Sequence, residues 1–86
     1  MNFEEFKQGI IKETTELLDA LWFDTEHEYS TYLNGVETAA LVVGYENKQV
    51  YGLTDTLVEL GKNSKQKIYT DNYYTLKDYK QENGGK

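Results

Sequence analysis

The first 21 residues carry the feature that most constrains the fold, a stripe of side chains at helical spacing. The stripe recurs every three or four positions, at Phe3, Phe6, Ile10, Thr14, Leu17, Leu18 and Leu21. Asn2 is a favourable residue for a helix N-cap, and Glu5 three positions later completes a capping box. We therefore predict a long amphipathic helix from Asn2 to about Trp22, with its apolar face on the core.

The next stretch, FDTEHEYSTYLNG at residues 23–35, fits two different structures. As a helix it would begin after Thr25, a good capping residue, and would stop at the Asn-Gly pair. As a strand it would place alternate residues, beginning with His27 and Tyr29, on one face, and Asn-Gly would form a hairpin turn. The sequence favours the strand slightly, because tyrosine and threonine are common in strands.

Residues 41–53 predict a β-hairpin, since two runs rich in β-branched and aromatic residues flank a polar turn at residues 46–48. A helical stripe is the competing interpretation, and the two glycines of this region weigh against one long helix. Its members would be Val36, Ala39, Val43, Val50, Leu53, Leu57 and Leu60. A short second helix is predicted near residues 55–61, and another hairpin or edge strand near residues 67–76.

These elements together predict an α+β fold, with the N-terminal helix packed on a small antiparallel sheet. We expect a single domain over residues 1–80, followed by a flexible polar tail at residues 81–86. A chain of 86 residues buries only a thin core. The acidic N-terminus does not resemble a signal peptide, and no apolar run is long enough to cross a membrane. Together with the absence of cysteine, these features favour a cytoplasmic location.

The charged residues exclude one class of partner and favour another. The chain contains nine lysines, no arginine and a net charge of −6, which argues against direct binding of nucleic acid. No lysine interrupts the sequence between Lys12 and Lys48, whereas eight acidic residues lie there. They are Glu13, Glu16, Asp19, Asp24, Glu26, Glu28, Glu37 and Glu46. Such a block either keeps a protein in solution or imitates a nucleic-acid backbone and so attracts the basic cleft of a partner.

Chemistry at a metal or a catalytic centre is not indicated. His27 is the only histidine, and transition-metal sites usually combine two or more histidines or cysteines. No cysteine is present, and neither Ser30 nor Ser64 lies in a recognisable nucleophile motif. The glycines form no phosphate-binding loop. We therefore expect neither a metal site, a cofactor nor an enzyme.

Tyrosine is abundant, with eight residues of this type in the chain. Tyrosine combines a large apolar ring with a polar hydroxyl and is enriched in binding interfaces, although several rings can simply cover a small core. The acidic residues and the tyrosines that cluster next to the first helix predict a partner-binding surface. Its members are Asp19, Asp24, Glu26, Glu28, Tyr29 and Tyr32.

The resulting hypothesis is a small acidic, non-enzymatic module that binds a protein with a basic surface. Its sharpest form is a phage-type inhibitor, of the anti-CRISPR or anti-restriction kind, that blocks a nucleic-acid-handling protein in the host cytoplasm. This form is an analogy of size and charge and rests on no shared motif. The alternative is a phage or bacterial structural or assembly protein that forms homo-oligomers.

Overall fold

A computed structural model describes residues 2–70 of the chain. This region consists of three helices, α1 (Phe3–Asp19), α2 (Glu26–Val42) and α3 (Asn47–Asn63), with short connections and without strands. The predicted α+β fold with its antiparallel sheet is therefore wrong here, and the architecture is that of a small helical bundle. The hairpin or edge strand predicted near residues 67–76 lies for the most part outside the described residues, as does the predicted tail at residues 81–86. The domain bounds of 1–80 therefore stay a prediction.

Helix α1 confirms the predicted start of the N-terminal helix. The Glu5 amide N–H donates to the side-chain oxygen of Asn2 at 2.8 Å, and the Asn2 amide donates back to the Glu5 carboxylate at 3.2 Å. The helix ends at Asp19, three residues before the predicted end at Trp22. Leu18 is fully buried, whereas Leu17 lies at the edge of the core and is only half-buried.

Helix α2 replaces the strand that was favoured for residues 25–34. Thr25 caps it as the helical alternative required, because its side chain accepts a hydrogen bond from the Glu28 amide at 3.1 Å. The buried residues follow helical spacing and continue past the predicted stop; they are Tyr29, Leu33, Val36 and Ala40. The Asn-Gly pair at positions 34 and 35 lies on the exposed face, where a helix tolerates it at a cost of about 1 kcal/mol.

The predicted β-hairpin over residues 41–53 is also wrong, because this segment is the end of α2 and the start of α3. Gly44 adopts a left-handed conformation with φ of 101°, which ends α2. Its amide and that of Tyr45 donate back to the carbonyls of Leu41 and Ala40, both at 3.1 Å. The polar residues assigned to the hairpin turn instead start α3, where the Glu46 amide donates to the Gln49 side chain at 3.0 Å.

Helix α3 contains the short second helix that was predicted near residues 55–61. It begins eight residues earlier than expected at Asn47 and runs on to Asn63. Its buried face repeats every three to four positions, at Val50, Leu53, Thr54, Leu57, Val58 and Gly61. Lys62 lies in the last turn, where a cation is favourable, and pairs with Glu59 at 3.5 Å.

The three helices pack with α3 against both of its neighbours. At one end of the bundle the rings of Phe3 and Phe6 contact Tyr45, with centroids 5.1 and 5.2 Å apart, so α1 starts beside the α2–α3 connection. At the opposite end the Gln66 side chain hydrogen-bonds to both the amide and the carbonyl of Phe23. The α1–α2 connection and the segment after α3 therefore meet at this second end.

Candidate interaction surface at the α1–α2 junction

A surface depression of about 340 Å³ lies at the connection between α1 and α2. It is shallow and open to solvent, and both the connection and the first turns of α2 line it. The lining residues are Trp22, Phe23, His27, Glu28, Thr31 and Tyr32. We call it the Trp22 depression, because its most exposed ring is that of Trp22, at 67% of its full accessible area.

Backbone hydrogen bonds at the end of α1 hold Trp22 in place. Its amide donates to the carbonyl of Leu17 at 3.0 Å, and the Leu21 amide donates to that of Leu18 at 3.1 Å. This pair of bonds is a Schellman motif, which needs a left-handed residue directly after the C-cap. Leu21 takes that conformation with φ of 56°, although glycine is the residue that usually does. The exposed indole is thus carried by a defined backbone turn.

Aromatic packing forms the inner wall of the Trp22 depression. The rings of Phe23 and Tyr32 lie 5.3 Å apart with their planes at 61°, and Tyr32 stacks on Tyr29 at 6.3 Å. The hydroxyl of Tyr32 also shares a 2.8 Å hydrogen bond with Thr14, which is buried in α1. These contacts tie α1, the connection and α2 together, so the wall is part of the folded core.

Glu28 supplies the carboxylate of the depression in a restrained position. One of its oxygens accepts the Asp24 amide N–H at 2.6 Å, while its own amide donates to Thr25. An acid in the first turn also interacts favourably with the positive end of the helix dipole. The carboxylate is therefore held at the N-terminus of α2 by the same interactions that start the helix.

The structure separates the six predicted binding residues. Asp24, Glu28 and Tyr32 lie at or beside the Trp22 depression, and both acids are exposed. Glu26 is exposed as well, but two helix positions separate it from Glu28, which places the two acids about 200° apart around α2. The acids therefore surround the start of the helix and do not form a row.

Asp19 and Tyr29 belong to other environments. Asp19 is the last residue of α1 and lines a second depression of about 170 Å³ between α1 and α3. Tyr29 has no exposed surface, and its hydroxyl donates to the carbonyl of Leu57 at 2.5 Å. Burial, with a smaller contribution from the nearby Tyr32, raises the pKa of Tyr29 above its usual value. Tyr29 is thus a core residue in this structure and does not reach the surface.

Trp22 is the residue that the sequence analysis left out of the predicted surface. It was assigned to the end of the first helix, where a tryptophan is as compatible with the core as with solvent. No pattern in the sequence marks it, because it is the end of α1 at Asp19 that leaves Trp22 in the connection. A further exposed apolar cluster, Leu41, Val42 and Val43, lies at the other end of α2, with Val42 at 79% exposure.

Within residues 2–70, no group of three or more potential ligands could hold a metal ion, and no helix is long and apolar enough to cross a membrane. Protein-family models, curated proteins and solved structures gave no match to this chain.

Proposed function

We propose that this chain is a non-enzymatic protein-binding module, and that its contact surface is the Trp22 depression with the acids around it. The observation that carries the proposal is the exposure of Trp22 beside a concave wall of aromatic residues. A large exposed ring on an ordered backbone loses little conformational entropy on binding. Tryptophan is for this reason among the residues that contribute most to protein interfaces.

The charge around the depression supports a partner with a basic surface. Asp24, Glu26 and Glu28 are exposed, and among residues 2–70 the structure places a single ion pair, between Glu59 and Lys62. None of the three acids is therefore neutralised by a lysine within that part of the chain. A partner with a basic surface would be attracted by their field and would associate faster at low salt.

An inhibitor of a nucleic-acid-handling protein, acting in the cytoplasm of a host cell, is the sharpest form of this proposal. Such proteins carry the basic clefts that the acids would attract. The support comes from the local combination of Trp22 with Glu28 and Asp24. A continuous imitation of a phosphate backbone has less support, because Glu26 and Glu28 lie on different sides of α2.

Self-association is the second candidate, and a different observation favours it. Leu41, Val42 and Val43 form three consecutive exposed apolar residues at the end of α2. Solvent-exposed apolar patches often mark surfaces that contact another protein chain. Sedimentation of the wild-type chain and of Val42→Ser at several concentrations tests this candidate. A dimer that the substitution dissociates would favour an assembly protein.

The main proposal is tested with immobilised peptides of defined charge. The labelled chain is applied to lysine-rich, arginine-rich, neutral and acidic peptides at two salt concentrations, in parallel with Trp22→Ala and Val42→Ser. We expect binding to basic peptides only, weaker at high salt, and lost by at least about tenfold in Trp22→Ala. Val42→Ser is the matched control and should bind as the wild type does. Equal binding by Trp22→Ala would overturn the proposal.

A further inference from the structure

We infer that the Trp22 depression recognises an alkylammonium group, which a partner protein would present as a lysine side chain in its free or methylated form. The inference deepens the proposed function and rests on it. It assigns one chemical group to the depression, where the proposal above asks only for a basic surface.

The aromatic residues supply the first part of such a site. Trp22, Phe23 and Tyr32 line the same depression, and Phe23, which is 5% exposed and packs edge-to-face against Tyr32, forms its floor. The ring surface open to a ligand is therefore that of the exposed Trp22 and, in part, that of Tyr32. The negative face of an aromatic ring attracts a cation, most strongly for tryptophan, and rings grouped around a cation form the cages that bind quaternary and methylated ammonium groups.

Glu28 supplies the second part, a negative charge in the same depression. Its carboxylate accepts one hydrogen bond, from the Asp24 amide, among residues 2–70. A carboxylate carries two oxygens with about four acceptor positions, so acceptor capacity remains for a ligand. The charge also disfavours anionic ligands in the depression, since like charges repel.

The same hydrogen bond favours ammonium over guanidinium. A guanidinium group binds a carboxylate best through two parallel hydrogen bonds, one to each oxygen. The Asp24 amide already donates to one oxygen of Glu28 at 2.6 Å, so a guanidinium group in this paired geometry would have to share that oxygen with the amide. An ammonium group needs one acceptor oxygen and an aromatic face, and the depression offers both.

Trp22 makes the inference directly measurable, because it is the only tryptophan of the chain. Its fluorescence is followed during titration with choline, with the amide of N-acetyl-lysine, with the corresponding arginine derivative and with 3,3-dimethylbutanol. The last compound is a neutral molecule with the shape of choline. We expect saturable changes with choline or the lysine derivative, and binding about two- to fivefold weaker for the neutral compound, as an exposed cation–π contact predicts.

The two ammonium compounds distinguish the sources of the group. Tighter binding of choline would indicate a methylated lysine, and tighter binding of the lysine derivative would indicate a free one. Equal binding of choline and 3,3-dimethylbutanol would overturn the inference, as would tighter binding of the arginine derivative. The absence of any saturable change would overturn it as well.

Glu28→Gln separates the charge from the local structure. Glutamine keeps an oxygen that can accept the Asp24 amide, so the start of α2 is retained, and circular dichroism verifies this. Binding of the ammonium compounds should fall about two- to fivefold in Glu28→Gln and stay unchanged in Glu13→Gln, an exposed site on α1. If peptide binding depends on Trp22 but shows no preference for ammonium groups, this inference fails and the proposed function stands. If peptide binding ignores Trp22, the proposed function itself fails.

Discussion

The ring of Tyr29 lies directly against Gly61. A Cβ atom built at position 61 would sit 2.7 Å from Cε2 of the ring and 3.3 Å from the carbonyl oxygen of Ile68. The Tyr29 hydroxyl donates to the carbonyl of Leu57, one turn earlier in α3. Helix α2 can thus approach α3 closely only because position 61 has no side chain, and this contact sets how the two helices pack.

We predict that Gly61→Ala destabilises the protein by about 1–3 kcal/mol, because the added methyl group overpacks a fully buried ring. The direction is opposite to the usual effect of alanine in a helix. Gly9→Ala in α1 and Gly35→Ala in α2 are matched controls, since nothing lies within 4 Å of either site. Both should stabilise by about 0.5–1 kcal/mol. Urea unfolding measures all three, and a Gly61→Ala protein as stable as the controls would refute the contact.

We predict that Tyr29→Phe lowers the free energy of unfolding by about 1 kcal/mol at pH 7, because the hydrogen bond to Leu57 is lost. The difference should shrink at high pH. Burial raises the pKa of Tyr29 in the folded state, so above pH 10 the unfolded chain releases this proton first and stability falls.

Because of Tyr29, the free energy of unfolding falls by at most about 1.4 kcal/mol per pH unit above the ordinary tyrosine pKa of about 10. The wild type and Tyr29→Phe should therefore reach equal stability near pH 11. Comparing the two proteins cancels the titration of the other tyrosines and of the lysines. Unfolding curves in urea between pH 8 and 11 provide the measurement, and parallel pH profiles would contradict the prediction.

We predict that Leu21→Gly stabilises the chain by about 1 kcal/mol. Leu21 is held in the left-handed region with φ of 56°, a conformation that costs a residue with a Cβ atom about 1–2 kcal/mol. Its side chain is 59% exposed, so its removal sacrifices little apolar contact. Leu21→Ala is the control, because alanine keeps the Cβ atom and should not stabilise. Thermal unfolding distinguishes them, and equal melting temperatures would show that the strain is absent.

We predict that Gln66→Ala destabilises the chain by about 1–3 kcal/mol, since the Phe23 amide and carbonyl each lose a hydrogen-bond partner in a partly buried setting. Gln66→Glu is an intermediate case. It can still accept from the Phe23 amide but can no longer donate to the carbonyl. Hydrogen exchange at the Phe23 amide reports on the contact, and unchanged exchange in Gln66→Ala would show that it does not close this end of the bundle.

The helix ends were predictable wherever the signal is local. The capping box of Asn2 and Glu5 and the capping residue Thr25 act within about one turn of the backbone. Both occur in the structure, Thr25 as the helical alternative for its stretch required. What failed was the choice between two structures that local signals left open. Asn34-Gly35 is a common turn sequence, yet α2 passes through it because both residues face solvent.

The candidate surface shows the same division. The acidity of the stretch around Asp24 and Glu28 is a property of the sequence alone, as is the lack of lysine between positions 12 and 48. The sequence alone does not determine whether Tyr29 or Trp22 reaches solvent, because both carry large rings that suit a core and an interface equally well. The close approach of α2 to α3 at Gly61 buries Tyr29, and the end of α1 at Asp19 leaves Trp22 outside. Burial depends on which faces of separate helices meet, and that depends on contacts between residues far apart in the chain.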